Sequence, residues 1–359
     1  MSPASLRSHD VTLQCGQPAF GGWHDARVTA TRIEELVTPA LLVDADALEH
    51  NLSSMATALP GPRLRPHVKA HKCTALARRQ LAAGHHTFTC ATIKEVEGMA
   101  AAGLGEDILL ANEVLDASRL GRLDARITVA VDSLQTIEAA ARGGLKEVVI
   151  DVNVGLPRCG CAPESAGTLA EMARNQGLLV RGVMGYEGHA VGLDDRTLRQ
   201  ELTAKAMELL VQAHKDVGGD VISAGGTGSY DLNTWANEIQ AGSYALMDAA
   251  YAKLGLPFQQ AASVLATVIS TSAAGYAVAN CGLKALGMDH GNPDIAGGGN
   301  VLIVSDEHIT FIPEAAVAVG DRIRVLPAHV DPTIAYHERM HLVRDGEVLE
   351  TWEVDLRGW

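Results

Sequence analysis

Between about Arg65 and Leu246 the chain alternates two patterns of apolar positions. Short β-branched runs end in polar or glycine residues, and each is followed by a segment rich in Ala, Leu and Glu with helical spacing. This alternation predicts βα units and a parallel sheet, because parallel neighbours need a crossover connection. The runs fall at residues 64–69, 86–90, 107–110, 127–131, 147–152, 179–184, 220–223 and, more weakly, 238–241. Eight strands predict a (β/α)8 barrel of the TIM type. Residues 92–102, 133–141, 165–175 and 195–216 have the length and propensity of crossover helices. The segment from Thr38 to Asp44 reads as one more strand ahead of the barrel. From Ser263 onward short β patterns dominate, and Asp345-Gly346 between two of them is a strong hairpin signal. The expected fold class is therefore α/β plus β: a barrel over residues 38–255, then a mostly antiparallel β domain over 256–359. Residues 1–37 are expected to pack with the β domain.

Composition narrows the partners. With 359 residues, 47% of them hydrophobic, the chain can bury a sizeable core. Its 29 basic against 43 acidic residues give a net charge of -14, whose field repels polyanions, so neither nucleic acid nor an anionic membrane is an expected partner. No charge falls between Lys253 and Lys284, a stretch longer than the roughly 20 residues a membrane helix needs. Polar residues interrupt it, and its β-branched content predicts a buried sheet instead. The six cysteines lack a disulfide-framework spacing and read as buried, reduced thiols. The first residues lack the apolar core of a signal peptide, so a cytoplasmic location is expected.

Against that acidic background the run Arg65-Pro66-His67-Val68-Lys69-Ala70-His71-Lys72 stands out. On a strand Arg65, His67 and Lys69 share a face, and Lys69 sits at the C-terminal end, where barrels place catalytic groups. A lysine whose pKa is lowered by cationic neighbours suits imine formation. After the seventh and eighth strands come Gly225-Gly226-Thr227-Gly228-Ser229 and Gly242-Ser243-Tyr244, the two places where barrels bind phosphate. A phosphate cup plus an imine-forming lysine points to pyridoxal 5'-phosphate (PLP). Arg158 follows the fifth strand and could donate to the cofactor's phenolic oxygen or to a carboxylate. Tyr186 and His189 follow the sixth: Tyr186 to pack on or bond to the cofactor, His189 as general base. Together with the glycine loops, Arg65, Lys69 and Arg158 would gather the attraction for anions at the barrel mouth. Pro332 should hold Asp331 extended, so that His329 and Asp331 project together as a pair of ligands for one divalent ion. One imidazole and one carboxylate suit Mn²⁺, Mg²⁺ or a similar ion better than zinc.

The ordered motifs RPHVKAHK, DVNVGLPRCG, GYEGH, GGTGS, EIQAGSYALMD, SDEH and PAHVDPT resemble the D-threonine aldolase and D-serine dehydratase family, PLP enzymes with the alanine racemase type of fold. The resemblance covers nearly all the chain from Thr38. It implies that Lys69 forms the imine with PLP, that His329 and Asp331 hold a metal beside it (Mn²⁺, with Mg²⁺ or Co²⁺ as alternatives), and that the enzyme is a homodimer. Within the family the aldolases show His-x-Asp and the dehydratases His-x-Cys. The pair His329/Asp331 thus implies retro-aldol cleavage of D-threonine and related D-β-hydroxy-α-amino acids to glycine and an aldehyde, with His189 taking the hydroxyl proton. A D-serine or D-3-hydroxyaspartate type of dehydratase is the alternative. A racemase would need a second base opposite Lys69, for which no tyrosine motif is evident. A non-enzymatic PLP carrier would be a barrel alone.

Overall fold

The computed structural model describes residues 31–359, so Cys15 and most of the expected N-terminal segment lie outside the described residues. The chain enters through β1 (Ala40–Asp44) and α1 (Ala45–Ala58), whose N-terminus is capped by the Asp44 side chain accepting from the Ala47 N–H. The parallel sheet then follows in strict sequence order: β2 (Phe88–Cys90), β3 (Ile108–Leu110), β4 (Ile127–Val131), β5 (Glu147–Asp151), β6 (Leu179–Gly185), β7 (Val221–Ala224) and β8 (Glu238–Ile239). Crossovers include α2 (Thr74–Ala82), α3 (Ile93–Ala101), α4 (Leu134–Arg142), α5 (Ala166–Asn175) and α6 (Arg196–Val217). Thr92, Ser133 and Asp195 cap α3, α4 and α6 by accepting from backbone N–H groups of the first turn, which is why these helices start where their polar residues predict.

The first expected strand is not one. Its extended part bridges Leu64 to Ile239 and His67 to Thr89, closing the barrel between β8 and β2 with only isolated bridges. Beyond it Val68–Ala70 turns into a 3-10 helix, so Lys69 stands on a turn just past the stave. Inside the barrel Leu109, Ala130, Val149, Met184 and Val221 form a small apolar layer, while the alternate residues of the same strands face the helices. Below that layer Asp107 accepts from Arg65 Nη1 at 3.0 Å and from Arg181 Nη1 at 3.1 Å. Arg65 also lies 2.9 Å from Glu238. The expectation that Arg65 draws anions at the mouth is therefore corrected: its charge is neutralised at the opposite end of the barrel.

The second sheet contains β9 (Ala262–Thr271), β10 (Ala277–Ala279), β11 (Asp294–Ile295), β12 (Gly299–Val304), β13 (Ile309–Pro313), β14 (Arg322–Leu326), β15 (Arg339–Arg344) and β16 (Glu347–Glu353). β1 joins it, antiparallel to β9 and parallel to β15, although it precedes the barrel in sequence. The charge-free stretch forms β9 and β10, and among the described residues no helix is long and apolar enough to cross a membrane. Asp345 and Gly346 both have positive φ, 50° and 80°, as a two-residue hairpin between twisted strands requires. Short helices α7 (Ala249–Ala252) and α8 (Val330–Tyr336) lie where barrel and sheet meet.

Candidate active site

A cavity of about 220 Å³ opens at the C-terminal ends of the barrel strands. Lys69 and His67 line it from the turn after the closing segment, Arg158 and Tyr186 from the loops after β5 and β6, and Gly226, Thr227, Gly242 and Ser243 from those after β7 and β8. The Arg158 guanidinium lies over the Tyr186 ring, 5.3 Å from its centroid. A Cβ on Gly242 would come within 2.4 Å of the His67 carbonyl oxygen, so only glycine lets this loop lie against the closing segment.

Lys69 Nζ forms an ion pair with Asp331, which arrives from α8 of the second domain. Burial works against both charges, yet the pairing outweighs it. The Lys69 amine is raised rather than lowered, contrary to the cationic-neighbour expectation, and Asp331 is held down at about 2 by Lys69 and His329. Pro332 does not keep Asp331 extended. His329 stands at the N-cap position of α8 without a side-chain cap, and Asp331 and Pro332 fall in the first turn, where a missing N–H costs no helical hydrogen bond. The two expected ligands converge nonetheless, with His329 Nε2 3.7 Å from Asp331 Oδ2.

Other expected residues take different places. Tyr244 is fully buried and accepts from Gln80 Nε2 at 3.1 Å, while its backbone N–H donates to Thr227 Oγ1 at 2.9 Å. Gly228 faces away from the cavity: a Cβ there would meet the Val191 carbonyl oxygen at 1.8 Å. His189 is absent from the cavity lining. Its ring packs on Gly155 after β5, and its Nδ1 is buried with no hydrogen-bond partner. Cys73, Cys90 and Cys281 are buried, but Cys159 is exposed and lines the cavity, which corrects the reading of uniformly buried thiols.

Several contributors escaped sequence reasoning. Glu187, fully buried, accepts from the Gly225 N–H at 3.2 Å, Ser229 Oγ at 2.8 Å and Asn233 Nδ2 at 3.2 Å, and so shapes the glycine loop from beneath. Asp248 accepts from the Tyr251 N–H at 2.8 Å and the Val330 N–H at 2.9 Å, tying α7 to the start of α8. Gln240, Tyr251, Glu113 and Asp151 also line the cavity. Glu187 and Asp248 stand within the motifs GYEGH and EIQAGSYALMD, but nothing local there shows what either side chain would hold.

The alanine racemase N-terminal domain matches residues 43–249, and a putative serine dehydratase domain matches residues 261–343. The chain belongs to the D-threonine aldolase and D-serine dehydratase family. It is 34% identical to a D-threonine aldolase of Arthrobacter sp. over 90% of this chain and 93% of the relative. It is 30% identical to a D-threo-3-hydroxyaspartate dehydratase of Delftia sp., covering 90% and 98%. The crystal structure of D-threonine aldolase from Filomicrobium marinum superposes with a TM-score of 0.87 at 34% identity, over 92% of this chain and 98% of that one. The alanine racemase-like architecture, barrel plus β domain, is the family's fold.

Proposed function

We propose that this chain is a PLP- and divalent-metal-dependent lyase that cleaves D-threonine and related D-β-hydroxy-α-amino acids to glycine and an aldehyde. The observation that carries the reading is the meeting of Lys69 with Asp331 at the cavity. The amine suited to an imine and the carboxylate of the His-x-Asp pair touch. The residues fit both groups. Gly226 and Gly242 border the cavity beside Thr227 and Ser243, where a phosphate would lie, and the donor set of His329 and Asp331 suits a hard ion such as Mn²⁺.

PLP bound through Lys69 would supply the electron sink that accepts the pair released when Cα–Cβ breaks. The ion held by His329 and Asp331 would acidify a neighbouring hydroxyl. Arg158, stacked on Tyr186, anchors an anionic oxygen of the cofactor or substrate, and Tyr186 walls one side. His189 serves as proton acceptor in this reading from its place in the GYEGH motif beside Tyr186, although its ring packs on Gly155 outside the cavity lining. Cys159, Glu113 and Asp151 leave the β3/β5 wall polar, which accommodates a hydroxylated substrate. Asp331 favours cleavage over dehydration: solved variants of a D-threo-3-hydroxyaspartate dehydratase replace a histidine and, two positions on, a cysteine, the latter in a metal-free form.

Incubation of the protein with PLP, Mn²⁺ and D-threonine should yield glycine and acetaldehyde. Formation of 2-oxobutanoate and ammonia would instead identify a dehydratase. Lys69→Ala should lose the imine absorbance of the bound cofactor; an unchanged spectrum would exclude Lys69 as its anchor.

A further inference from the structure

The turn at Gly287-Met288-Asp289-His290 lies beside the start of α8. Gly287 forms an antiparallel bridge with His329, and its N–H donates to Thr333 Oγ1 at 2.9 Å. A Cβ at Gly287 would meet Pro332 Cγ at 2.3 Å, so glycine permits this approach. The approach places Asp289 Oδ2 2.7 Å from His329 Nδ1 and stacks the His290 ring on His329, centroids 3.8 Å apart and planes 9° from parallel.

The ligand atoms of Asp289, His290 and His329 lie within 4.8 Å of one another, close enough to suggest a three-residue metal centre. The ring geometry argues against it. An imidazole binds an ion along a lone pair in its own plane, at about 2.0–2.1 Å. Two nearly parallel planes 3.8 Å apart cannot both contain one ion. His329 Nδ1 is moreover already engaged by Asp289, which leaves Nε2 as the free nitrogen, on the side of Asp331.

We propose that Asp289 is the positioning residue for His329. By accepting the Nδ1–H it fixes the tautomer with its lone pair on Nε2 and aims that lone pair toward Asp331, as carboxylates behind metal-binding histidines do. His290 restricts rotation of the ring by stacking. Asp289 is 58% exposed, and an exposed pair of this kind contributes little to stability, so its effect is on His329 rather than on folding. The inference rests on the reading of His329 as a metal ligand.

The test is Mn²⁺ titration of the full-length protein by calorimetry, comparing wild type with Asp289→Ala, Asp289→Glu and His329→Ala. Asp289→Ala should bind Mn²⁺ roughly 10–100-fold more weakly with an unchanged thermal midpoint, Asp289→Glu should recover part of the loss, and His329→Ala should lose the site. Nitrogen-15 NMR of the metal-free protein should show His329 protonated on Nδ1, and Asp289→Ala should move the proton toward Nε2. Wild-type affinity in Asp289→Ala, with binding still lost in His329→Ala, overturns the proposal and leaves the metal reading standing. Unchanged binding in His329→Ala, or none in wild type, overturns the metal reading and this proposal with it. An Nε2–H tautomer in wild type overturns the proposal alone.

Discussion

Asp107 stands between two buried guanidinium groups and accepts from both Arg65 and Arg181. Removing it would leave two cations in the barrel with less than their complement of charge. Asp107→Ala is therefore expected to cost about 3–5 kcal/mol in denaturant unfolding, the range for breaking a buried pair. His71 shows the opposite economy. It is buried and neutral, accepting from the Cys73 N–H at 3.2 Å and bonding Gln80 Oε1 at 3.2 Å, and burial pushes its pKa from 6.5 down to about 4. The unfolded chain then binds the proton first as pH falls. The contribution is complete above pH 6.5 and is lost progressively towards pH 4, by roughly 3 kcal/mol at most. Unfolding free energies measured across that window should fall less steeply in His71→Asn; an unaltered slope would rule His71 out as the cause. The spacing in RPHVKAHK marked these residues as unusual, but not which end of the barrel each served. Arg65 and Lys69 lie four residues apart and face opposite layers because the stave turns into a 3-10 helix between them.

At the scale of elements, the legible parts are those with local causes. The starts of α3, α4 and α6 follow from Thr92, Ser133 and Asp195, whose side chains satisfy N–H groups of the first turn. The hairpin between β15 and β16 follows from Asp345-Gly346, a pair that adopts positive φ readily. The misread elements are those whose conformation depends on distant partners. Asp331 is expected to be extended, yet it falls in the first turn of α8, whose first N–H, that of Val330, donates to Asp248, 82 residues away in sequence. Asp248→Ala should leave that N–H and the Tyr251 N–H unpaired and destabilise the protein by about 1–3 kcal/mol. Asp248→Asn keeps only one of the two acceptor oxygens, and its NH2 would face the other N–H, so it should recover at most part of the loss. A negligible loss for Asp248→Ala in thermal or denaturant unfolding would show that the hydrogen bonds are not what holds α8.

Over the whole molecule, one apolar core runs from Leu41 and Val43 in the second sheet through the barrel helices to Val354 and Leu356. β1 enters the second sheet before the barrel begins, and the C-terminal segment returns to it, with the Leu356 N–H donating to the Lys72 carbonyl oxygen. Barrel and sheet thus share one continuous interior. A single calorimetric transition is expected, with tryptophan fluorescence and far-UV circular dichroism changing together. Two separated transitions would show that the units unfold independently.

The order of the βα units, the capped helices, the β-rich second half and the chemical types gathered in RPHVKAHK, GYEGH, GGTGS and HVDPT are all legible in the residue order. Those features depend on residue periodicity and on side chains acting within a turn of their own backbone. Only in the folded chain is it visible that Lys69 pairs directly with Asp331 across 262 residues, that Glu187 braces the glycine loop and that Asp289 reaches His329. Such contacts arise when a closed barrel and a docked sheet bring remote segments together, and no local pattern records which remote side chain will lie opposite.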